Sequence, residues 1–436
     1  MSRWLNESGF RRNLGLASYM IRGGNRLVGN VTISGSKNAA LGIIAASMLL
    51  DGPCRIDHAP DVDDINMLVE ICRSMGAQIK READGALEID PRFVTNGETI
   101  DERSRNIRGS YYLLGAMLGR FSYASIYMPG GCNFGPRPID LHVKGFEALG
   151  ATTVFEHGRI TVSAEKMHGE HIFLDTVSVG ATINIMIAAA KTEGVTVIEN
   201  AAREPHIVDV ANFLNTMGAN IRGAGTDVIR VTGVPVLPGN VSYSIIPDQI
   251  EAGTYMLAAA LTRGDVTVRN IIPKHMEPLS AKLEEMGACV VSGDDSIRVF
   301  IPEDTVLQAT SFRTMPYPGF PTDLQPQTTV LLCTAQGNSR MTENVWDNRF
   351  QYIDDLKIMG ANILISGRLA LVEGGNPLTG AKVFARDLRA GAAMVLAGLV
   401  AEGTTEVNDV SKIERGYESF VRKLQDLGAD ITRIDS

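Results

Sequence analysis

The tripeptide Met75-Gly76-Ala77 is the first of six copies of one short signature, in which Met or Leu precedes Gly-Ala. The other five are Leu149-Gly150-Ala151, Met217-Gly218-Ala219, Met286-Gly287-Ala288, Met359-Gly360-Ala361 and Leu427-Gly428-Ala429. Successive signature glycines are 68 to 74 residues apart in a chain of 436 residues. Self-similarity at a fixed period indicates repeated supersecondary units. The sequence therefore predicts six copies of one unit rather than three ordinary domains.

An amphipathic segment precedes each signature. In the first unit Ile65, Leu68, Ile71 and Met75 share one helical face, and Gly76 follows where a helix commonly ends on a left-handed residue. After the signature, short extended runs joined by turn residues are typical of paired strands, as in 219–222 and 228–231 around the glycines of 223–225. Each unit is thus predicted to end with a surface helix and two strands.

An alanine-rich segment lies earlier in most units, at 39–50, 181–191, 252–261 and 390–401. These segments are apolar nearly all round, which predicts buried helices. Strand-like runs such as 196–198 and 266–268 follow them. The unit is therefore strand, buried helix, strand, surface helix, strand, strand, and the fold class is α/β.

Composition narrows the function classes. The net charge of −9 argues against nucleic acid or an anionic membrane as the main partner, and no apolar run is long enough to span a bilayer. Five cysteines favour a reducing, cytoplasmic location. The histidines and cysteines lack metal-ligand spacing, and no phosphate-binding P-loop or strand-associated GxGxxG occurs, so we expect no metal and no organic cofactor. Residues 1–20 are expected to form a disordered extension.

The residues at the entrance to each buried helix differ between units. The entrances lie near Lys37, Arg108, 177–180, Asp248, Asp323 and 386–389. Helix N-termini carry unpaired N–H groups and partial positive charge, so they suit anions. If three units pack around a pseudo-threefold axis in each half of the chain, these entrances converge on one cleft. Paired phosphates and carboxylates are the ligands expected there.

The reactive candidates have ordinary structural alternatives. Cys132 lies in a loop of three glycines and three prolines, 128–138, five residues before Arg137, and nearby positive charge can lower the pKa of a thiol. The other four cysteines fit buried small hydrophobes. Asp323 and Asp387 could each simply cap the following helix. Arg349 and Arg415 would ordinarily be surface arginines in salt bridges.

Several motifs together resemble the family of UDP-N-acetylglucosamine 1-carboxyvinyltransferases (the MurA family), a branch of the enolpyruvyl transferases. They are Ser34-Gly35-Ser36-Lys37-Asn38-Ala39-Ala40, the loop Pro129-Gly130-Gly131-Cys132-Asn133-Phe134-Gly135-Pro136-Arg137-Pro138, Phe320-Pro321-Thr322-Asp323, Asp347-Asn348-Arg349-Phe350, Asp387-Leu388-Arg389-Ala390 and Arg415-Gly416-Tyr417-Glu418. The resemblance extends from about residue 21 to the C-terminus and keeps the family order.

The resemblance implies a two-domain inverse α/β barrel with three repeats per domain and the active site between the domains. Domain one would comprise 21–36 and 247–436, and domain two, which carries the cysteine loop, 37–246. The implied reaction transfers the enolpyruvyl group of phosphoenolpyruvate to the 3-hydroxyl of UDP-N-acetylglucosamine with release of phosphate, the committed step of peptidoglycan synthesis. The implied partners are these two small molecules, for a monomer or weak homo-oligomer, and the implied inhibitor is fosfomycin.

Residue roles carry over by position. By analogy Cys132 is the acid and can form an adduct with phosphoenolpyruvate, Asp323 is the base, and Lys37 and Arg415 are catalytic cations. Arg137 and Arg389 complete the anion clamp, with Arg349 nearby. The remaining positions implied in substrate binding are Asn38, Arg108, Pro138, Ile139, Asp140, Leu141, Val177, Ser178, Val179, Gly180, Val345, Trp346 and Asp387.

The sequence departs from the family pattern at four positions without loss of a charged or catalytic group. Phe134 and Pro136 replace a branched aliphatic and a small residue in the loop and could alter its mobility, Gly109 replaces an alanine, and Trp346 a phenylalanine. Two alternatives stay open. One is enolpyruvyl transfer to a different nucleotide or nucleotide sugar, and the other is a catalytically silent regulator that binds UDP-sugar.

Overall fold

Six surface helices end at the six signature glycines, as predicted. Gly76, Gly150, Gly218, Gly287, Gly360 and Gly428 all have φ between +94° and +108°, a conformation that side-chain-bearing residues rarely adopt. At Gly76 a Cβ would also lie 2.7 Å from the carbonyl oxygen of Phe93. The computed structural model describes residues 17–99, 101–128 and 139–435.

The elements of the first half follow the predicted order. Two strands open the chain, β1 (Ser18–Arg22) and β2 (Val28–Thr32). The first repeat contains α1 (Lys37–Ser47), β3 (Cys54–Asp57), α2 (Asp63–Ser74), β4 (Gln78–Arg81) and β5 (Leu87–Asp90). The second contains 3-10 helices at Glu102–Asn106 and Arg108–Tyr111, then α3 (Tyr112–Phe121), β6 (Tyr123–Tyr127), α4 (Asp140–Ala148), β7 (Thr152–Glu156) and β8 (Arg159–Ser163). The third contains β9 (His171–Phe173), α5 (Val179–Ala189), β10 (Val195–Glu199), α6 (Pro205–Thr216), β11 (Asn220–Arg222) and β12 (Val228–Thr232).

The second half repeats the pattern. Strand β13 (Ser242–Ser244) is followed by α7 (Gln249–Leu261), β14 (Asp265–Arg269), a 3-10 helix at Pro273–Met276, α8 (Glu277–Glu285), β15 (Cys289–Ser292) and β16 (Ser296–Phe300). The fifth repeat contains β17 (Ser311–Arg313), a 3-10 helix at Thr322–Leu324, α9 (Gln325–Thr334), β18 (Asn338–Thr342), α10 (Ile353–Ile358), β19 (Asn362–Ser366) and β20 (Leu369–Glu373). The sixth contains β21 (Lys382–Phe384), α11 (Leu388–Val400), β22 (Thr404–Asn408), α12 (Ser411–Glu414), α13 (Phe420–Asp426) and β23 (Asp430–Ile434).

Six small sheets surround two sets of buried helices, which is the two-domain inverse α/β barrel. The strand orders are β21-β22-β1-β23, β11-β12-β10-β9, β13-β3-β5-β4, β15-β16-β14-β2, β17-β18-β20-β19 and β6-β8-β7. Helix α3 packs on α1 and α5 in one half of the chain, and α7 packs on α9 and α11 in the other. The alanines and small residues of these helices let them pack closely, and their apolar residues are almost wholly buried.

Strands exchange between the two halves at the point where the chain crosses. Strand β2 pairs in parallel with β14 in the second half, whereas β13 pairs in parallel with β3 in the first. The buried apolar residues accordingly form two separate cores, one from 17–33 and 250–431 and the other from 39–245. We call the parts of the chain that build these cores domain one and domain two, respectively.

Two local expectations need correction. The disordered extension was expected to reach residue 20, but β1 begins at Ser18 and pairs with both β22 and β23. Tyr19 is 1% exposed there, because it fills the core beside domain one's last helices. The second repeat also departs from the pattern, since its sheet has three strands and only an isolated bridge joins Glu98 to Ser125.

Candidate active site

The crossing between the domains is built around the carboxylate of Asp248. Its Oδ1 accepts hydrogen bonds from the N–H groups of Ile250 and Glu251 at 2.8 and 3.0 Å, which caps α7. Its Oδ2 accepts from the N–H of Lys37 at 3.1 Å, in the first turn of α1. One side chain thus satisfies orphan donors at the N-termini of two buried helices, one from each domain.

A buried ion-pair cluster lies beside this crossing. The Nζ of Lys37 lies 3.1 Å from Oδ2 of Asp64, and the Nε of Arg415 donates to Oδ1 of the same carboxylate at 2.8 Å. Lys37 and Asp64 are both buried, with 8% and 6% of their surface exposed. Asp64 comes from domain two and Arg415 from domain one, so this cluster joins the two domains.

Asp323 forms a second cluster with two arginines. The Nη2 of Arg349 lies 3.2 Å from its Oδ1, and the Nη2 of Arg389 lies 3.1 Å from its Oδ2. The two arginines are 3% and 4% exposed. The capping alternative was therefore wrong for Asp323, which lies in a 3-10 turn and makes no side-chain capping bond. For Asp387 the capping alternative is confirmed, because its Oδ1 accepts from the N–H groups of Arg389 and Ala390 at 2.8 and 3.1 Å.

The two clusters belong to one electrostatic site. Burial alone would raise the pKa of Asp323, but Arg389, Arg349 and Lys37 outweigh it and hold that pKa well below its ordinary value. His206, in the first turn of α6, is also buried there, and burial lowers its pKa although Asp248 and Asp323 act in the opposite direction. Four cations, Lys37, Arg349, Arg389 and Arg415, thus surround two carboxylates. The guanidinium and ammonium groups of these four residues suit an anionic ligand.

A further group of predicted residues lies in domain two. The Arg108 guanidinium stands 5.7 Å from the ring centroid of Tyr111, at a 3-10 turn rather than at the start of an α-helix. Burial and Arg108 lower the pKa of His142 to about 3, so its imidazole is neutral. The Nδ2 of Asn184 donates to Nδ1 of this ring at 2.9 Å, which leaves the ring proton on Nε2. A Cβ at Gly180 would lie 2.9 Å from that Nε2, so only glycine fits at this close approach.

The loop after β18 is tied to the site by Glu343. The N–H groups of Val345 and Trp346 donate to its Oε1 at 2.8 and 3.0 Å. Thr322, the residue before Asp323, donates from its hydroxyl to Oε2 at 2.9 Å. The same carboxylate therefore holds Val345 and Trp346, which are implied in sugar-nucleotide binding, and the chain beside Asp323.

The structure brings together most, but not all, of the candidate residues that it describes. Lys37, Asn38, Asp323, Arg349, Asp387, Arg389 and Arg415 lie at the entrances of α1, α9 and α11 and on the loops beside them. Ile139, Asp140 and Leu141 form the N-terminus of α4, and Val177, Ser178, Val179 and Gly180 that of α5, where the hydroxyl of Ser178 caps the helix. Cys132, Arg137 and Pro138 lie outside the described residues.

Sequence reasoning did not assign Asp64, His206 or Glu343 to the site, and it recognised Asp248 only as a helix entrance. Asp64 lies in the first turn of a surface helix, a position where acidic residues are common for helix-dipole reasons alone. Glu343 follows a strand and has no recognisable motif. Only for His206 does the local sequence give a signal. The preceding Pro205 marks the N-terminus of a helix, and so places His206 in the first turn.

Among the described residues no group of three or more His, Cys, Asp or Glu side chains could hold a metal ion. No helix in 17–99, 101–128 or 139–435 is both long and apolar enough to cross a membrane.

Comparison with solved structures defines the fold class. The enolpyruvyl transferase NikO from Streptomyces tendae superposes with a TM-score of 0.88 at 27% identity, covering 97% of this chain and 100% of that one. The EPSP synthase from Acinetobacter baumannii superposes with a TM-score of 0.75 over 96% of this chain and 100% of its own, but at 19% identity it shows the fold alone. The architecture is that of the enolpyruvyl transferases.

Sequence comparison then gives the family. Residues 21–424 match the family described as EPSP synthase (3-phosphoshikimate 1-carboxyvinyltransferase). UDP-N-acetylglucosamine 1-carboxyvinyltransferase 3 of Caldanaerobacter subterraneus is 55% identical over 96% of this chain and 100% of its own length. The UDP-N-acetylglucosamine 1-carboxyvinyltransferase of Clostridium botulinum is 52% identical with the same coverage. The chain belongs to the carboxyvinyltransferase family of enolpyruvyl-transferring enzymes.

Proposed function

We propose that the protein transfers the enolpyruvyl group of phosphoenolpyruvate to the 3-hydroxyl of UDP-N-acetylglucosamine and releases phosphate, in the cytoplasm and towards peptidoglycan. The observation that carries this proposal is the cluster of Lys37, Arg349, Arg389 and Arg415 around two carboxylates at the cleft. Relatives named for this activity are 49% to 55% identical to the chain over at least 95% of it. That similarity favours UDP-N-acetylglucosamine over another acceptor. NikO, an enolpyruvyl transferase that is not named for this acceptor, is only 27% identical to the chain.

The anion site matches phosphoenolpyruvate in charge. The substrate carries a phosphate and a carboxylate, and guanidinium groups bind both in a bidentate manner. The ion pairs of Asp64 with Arg415 and of Asp323 with Arg389 neutralise part of the positive charge. Lys37, Arg389 and Arg415 then bind the substrate anions, with Arg349 beside them, and the family resemblance adds Arg137 to this group.

The chemistry is an addition followed by an elimination. The sugar 3-oxygen forms a bond to C2 of phosphoenolpyruvate while Cys132 supplies a proton to the C3 methylene and Asp323 accepts the proton of the hydroxyl. The tetrahedral intermediate then returns a proton from C3 to the thiolate of Cys132, the double bond re-forms, the bond between C2 and the phosphate oxygen breaks, and the proton held by Asp323 leaves with the phosphate. The surrounding cations stabilise the charge on the departing phosphate.

The ion pairs of Asp323 with Arg349 and Arg389 weaken it as a base. A carboxylate whose pKa is held well below its ordinary value is a poor proton acceptor. When the anions of phosphoenolpyruvate draw Arg389 into their own ion pairs, the carboxylate loses part of this stabilisation and its pKa rises. The base is therefore activated when phosphoenolpyruvate binds.

The nucleotide sugar binds along domain two. The N-termini of α4 and α5 offer the N–H groups of 139–141 and 178–180 to the diphosphate. Arg108 adds a full positive charge, Asn38 and Asp323 approach the sugar, and the loop at Val345 and Trp346 closes the site from domain one.

The decisive experiment measures phosphate release from phosphoenolpyruvate with a panel of acceptors. UDP-N-acetylglucosamine should support turnover, whereas UDP-glucose, UMP and shikimate 3-phosphate should give rates lower by orders of magnitude. Preincubation with fosfomycin should remove the activity by alkylating Cys132. Turnover with another acceptor alone would replace the proposed substrate, and tight UDP-sugar binding without phosphate release would indicate the silent regulator.

A further inference from the structure

The carboxylate of Glu343 is buried and accepts four hydrogen bonds. The side chain is 0% exposed. Its Oε1 accepts from the hydroxyl of Thr314 at 2.9 Å and from the N–H groups of Val345 and Trp346 at 2.8 and 3.0 Å. Its Oε2 accepts from the hydroxyl of Thr322 at 2.9 Å. Both oxygens are thus engaged, and every donor is neutral.

Burial of the Glu343 carboxylate without a neighbouring cation carries a desolvation cost. An ionised carboxylate taken out of water is normally paired with a cation, because the desolvation penalty is several kcal/mol. In the described part of the chain no Lys, Arg or His forms an ion pair with Glu343. Four hydrogen bonds to a charged acceptor instead compensate for the lost hydration, each stronger than its neutral counterpart.

The four donors come from three separate segments. Thr314 follows β17, and its hydroxyl oxygen also accepts from the N–H of Asn344 at 2.9 Å. Thr322 precedes Asp323 in the 3-10 turn at the entrance of α9. The third segment is the loop at Val345 and Trp346. A single carboxylate therefore fixes the distance between the base and the loop expected to contact the nucleotide sugar.

We propose that Glu343 is a positioning residue for the transfer reaction. It fixes the position of Asp323 relative to the loop at Val345 and Trp346. This proposal rests on the proposed function, since it assigns Glu343 a task in presenting the acceptor hydroxyl to the base. The reach of the side chain, which contacts Thr314 and the loop with one oxygen and Thr322 with the other, carries the effect. The negative charge of Glu343 alone does not account for the effect.

Three substitutions distinguish the effect of the length of the Glu343 side chain from the effect of its charge. Glu343→Asp keeps the charge but shortens the side chain by one methylene, so it cannot engage both sides. Glu343→Gln keeps the reach, and its amide nitrogen can face Thr322, whose hydroxyl can accept instead. Thr322→Val removes only the bond on the side of Asp323. Glu373→Asp, an exposed position at the end of β20 in the same sheet, is the matched control.

Steady-state kinetics below each variant's unfolding temperature test the proposal. We expect Glu343→Asp to lower kcat and raise KM for UDP-N-acetylglucosamine, each by about tenfold, since misplaced reacting groups cost factors of this order or more. Thr322→Val should lower kcat by a similar factor and leave this KM within about twofold. Glu343→Gln should be milder than Glu343→Asp, and Glu373→Asp should match the wild type. A Glu343→Asp variant with unchanged kcat and KM, or one milder than Glu343→Gln, would overturn the proposal.

A second readout does not depend on turnover. The chain has two tryptophans, Trp4 and Trp346, so a Trp4→Phe background leaves Trp346 as the only tryptophan emitter. In that background Glu343→Asp should increase acrylamide quenching of Trp346, and Glu373→Asp should not. Unchanged quenching would contradict the positioning role. If the wild type did not use UDP-N-acetylglucosamine, the proposed function would fail on its own, and this measurement would still decide whether Glu343 holds the loop.

Discussion

Asp64 and Arg415 join the two domains by two hydrogen bonds across the cleft. The Nε of Arg415 donates to Oδ1 of Asp64 at 2.8 Å, and the N–H of Asp64 donates to the carbonyl oxygen of Arg415 at 3.4 Å. The second oxygen of the same carboxylate contacts Lys37. Two cations assigned to phosphoenolpyruvate are thus fixed by one acidic residue that no motif marked. Asp64 both orients them and limits their charge before substrate arrives.

Replacement of Asp64 by Asn should separate these two effects. The amide keeps the size of the side chain but carries no charge, so Lys37 and Arg415 lose their counterion. We expect inorganic phosphate to inhibit several-fold more strongly, because the site becomes more positive, and kcat to fall by about tenfold or more, because the two cations are no longer held in place. Phosphate inhibition constants and initial rates measure both effects.

A neighbouring exposed carboxylate provides the control. Asp61 accepts a hydrogen bond from Asn66 at 2.7 Å on the surface near the start of the same helix, and Asp61→Asn should leave both quantities unchanged. Weaker phosphate inhibition in Asp64→Asn than in the wild type would show that Asp64 does not compete with the anion for these cations.

The repeat pattern predicted most of the fold, because its signals are local. Each signature glycine ends a helix through its own backbone conformation, and each alanine-rich segment is apolar on every side, so neither needs knowledge of its neighbours. The pairing of β13 with β3 and of β2 with β14 was not derivable from periodicity. Those pairs join strands that are far apart in the chain, and the family resemblance supplied only the N-terminal one.

The site was predicted less completely than the fold. Residues within a distinctive motif, such as Lys37 and Asp323, could be named, but the acidic partner of Lys37 and Arg415 could not. Asp64, Asp248 and Glu343 act through contacts with residues distant in the sequence, so their own surroundings in the chain resemble an ordinary helix turn or strand end. From its own surroundings in the chain Arg349 would ordinarily be a surface arginine, and only the family resemblance placed it near the anion clamp, but its side chain is buried.

Asp323→Asn should abolish most of the turnover while it strengthens anion binding. The amide cannot accept the proton of the sugar hydroxyl, so kcat should fall by two or more orders of magnitude. Arg389 is released from its ion pair with Asp323, so phosphoenolpyruvate and inorganic phosphate should bind several-fold more tightly. Isothermal titration and single-turnover rates measure the two effects, with the exposed Asp304→Asn as control. A rate within tenfold of the wild type would remove Asp323 from the role of base.

Substitutions of Cys132 test the acid and the inhibitor together. Cys132→Ser should nearly abolish turnover, because a hydroxyl is a much weaker acid than a thiol, and should leave UDP-sugar binding largely intact. Cys132→Asp should retain turnover and resist fosfomycin, because a carboxyl can supply the proton but is not alkylated under the same conditions. Phosphate release with and without preincubation distinguishes them. Fosfomycin sensitivity in Cys132→Asp would place the alkylated group elsewhere.

Asp209 should make the stability of domain two depend on pH. Its side chain is 1% exposed and accepts from the hydroxyl of Tyr243 at 2.6 Å and from the N–H of Ile246 at 3.2 Å, next to the crossing between the domains. Burial raises the pKa of Asp209 from 3.8 to about 6, although both hydrogen bonds act in the opposite direction. The folded state therefore holds this proton more tightly than the unfolded chain does between these two values.

The free energy of unfolding attributable to Asp209 should consequently fall as the pH rises from about 4 to about 6 and then stay constant, with a total change of about 3 kcal/mol. Asp209→Asn stays neutral at every pH, so its stability relative to the wild type should rise across the same interval. Tyr243→Phe removes a bond that favours the ionised form, so it should raise the upper end of the interval and leave the lower end unchanged. Urea denaturation followed by circular dichroism at half-unit pH steps measures the difference. A difference between Asp209→Asn and the wild type that does not vary with pH would show that this carboxyl is ionised in the folded protein throughout.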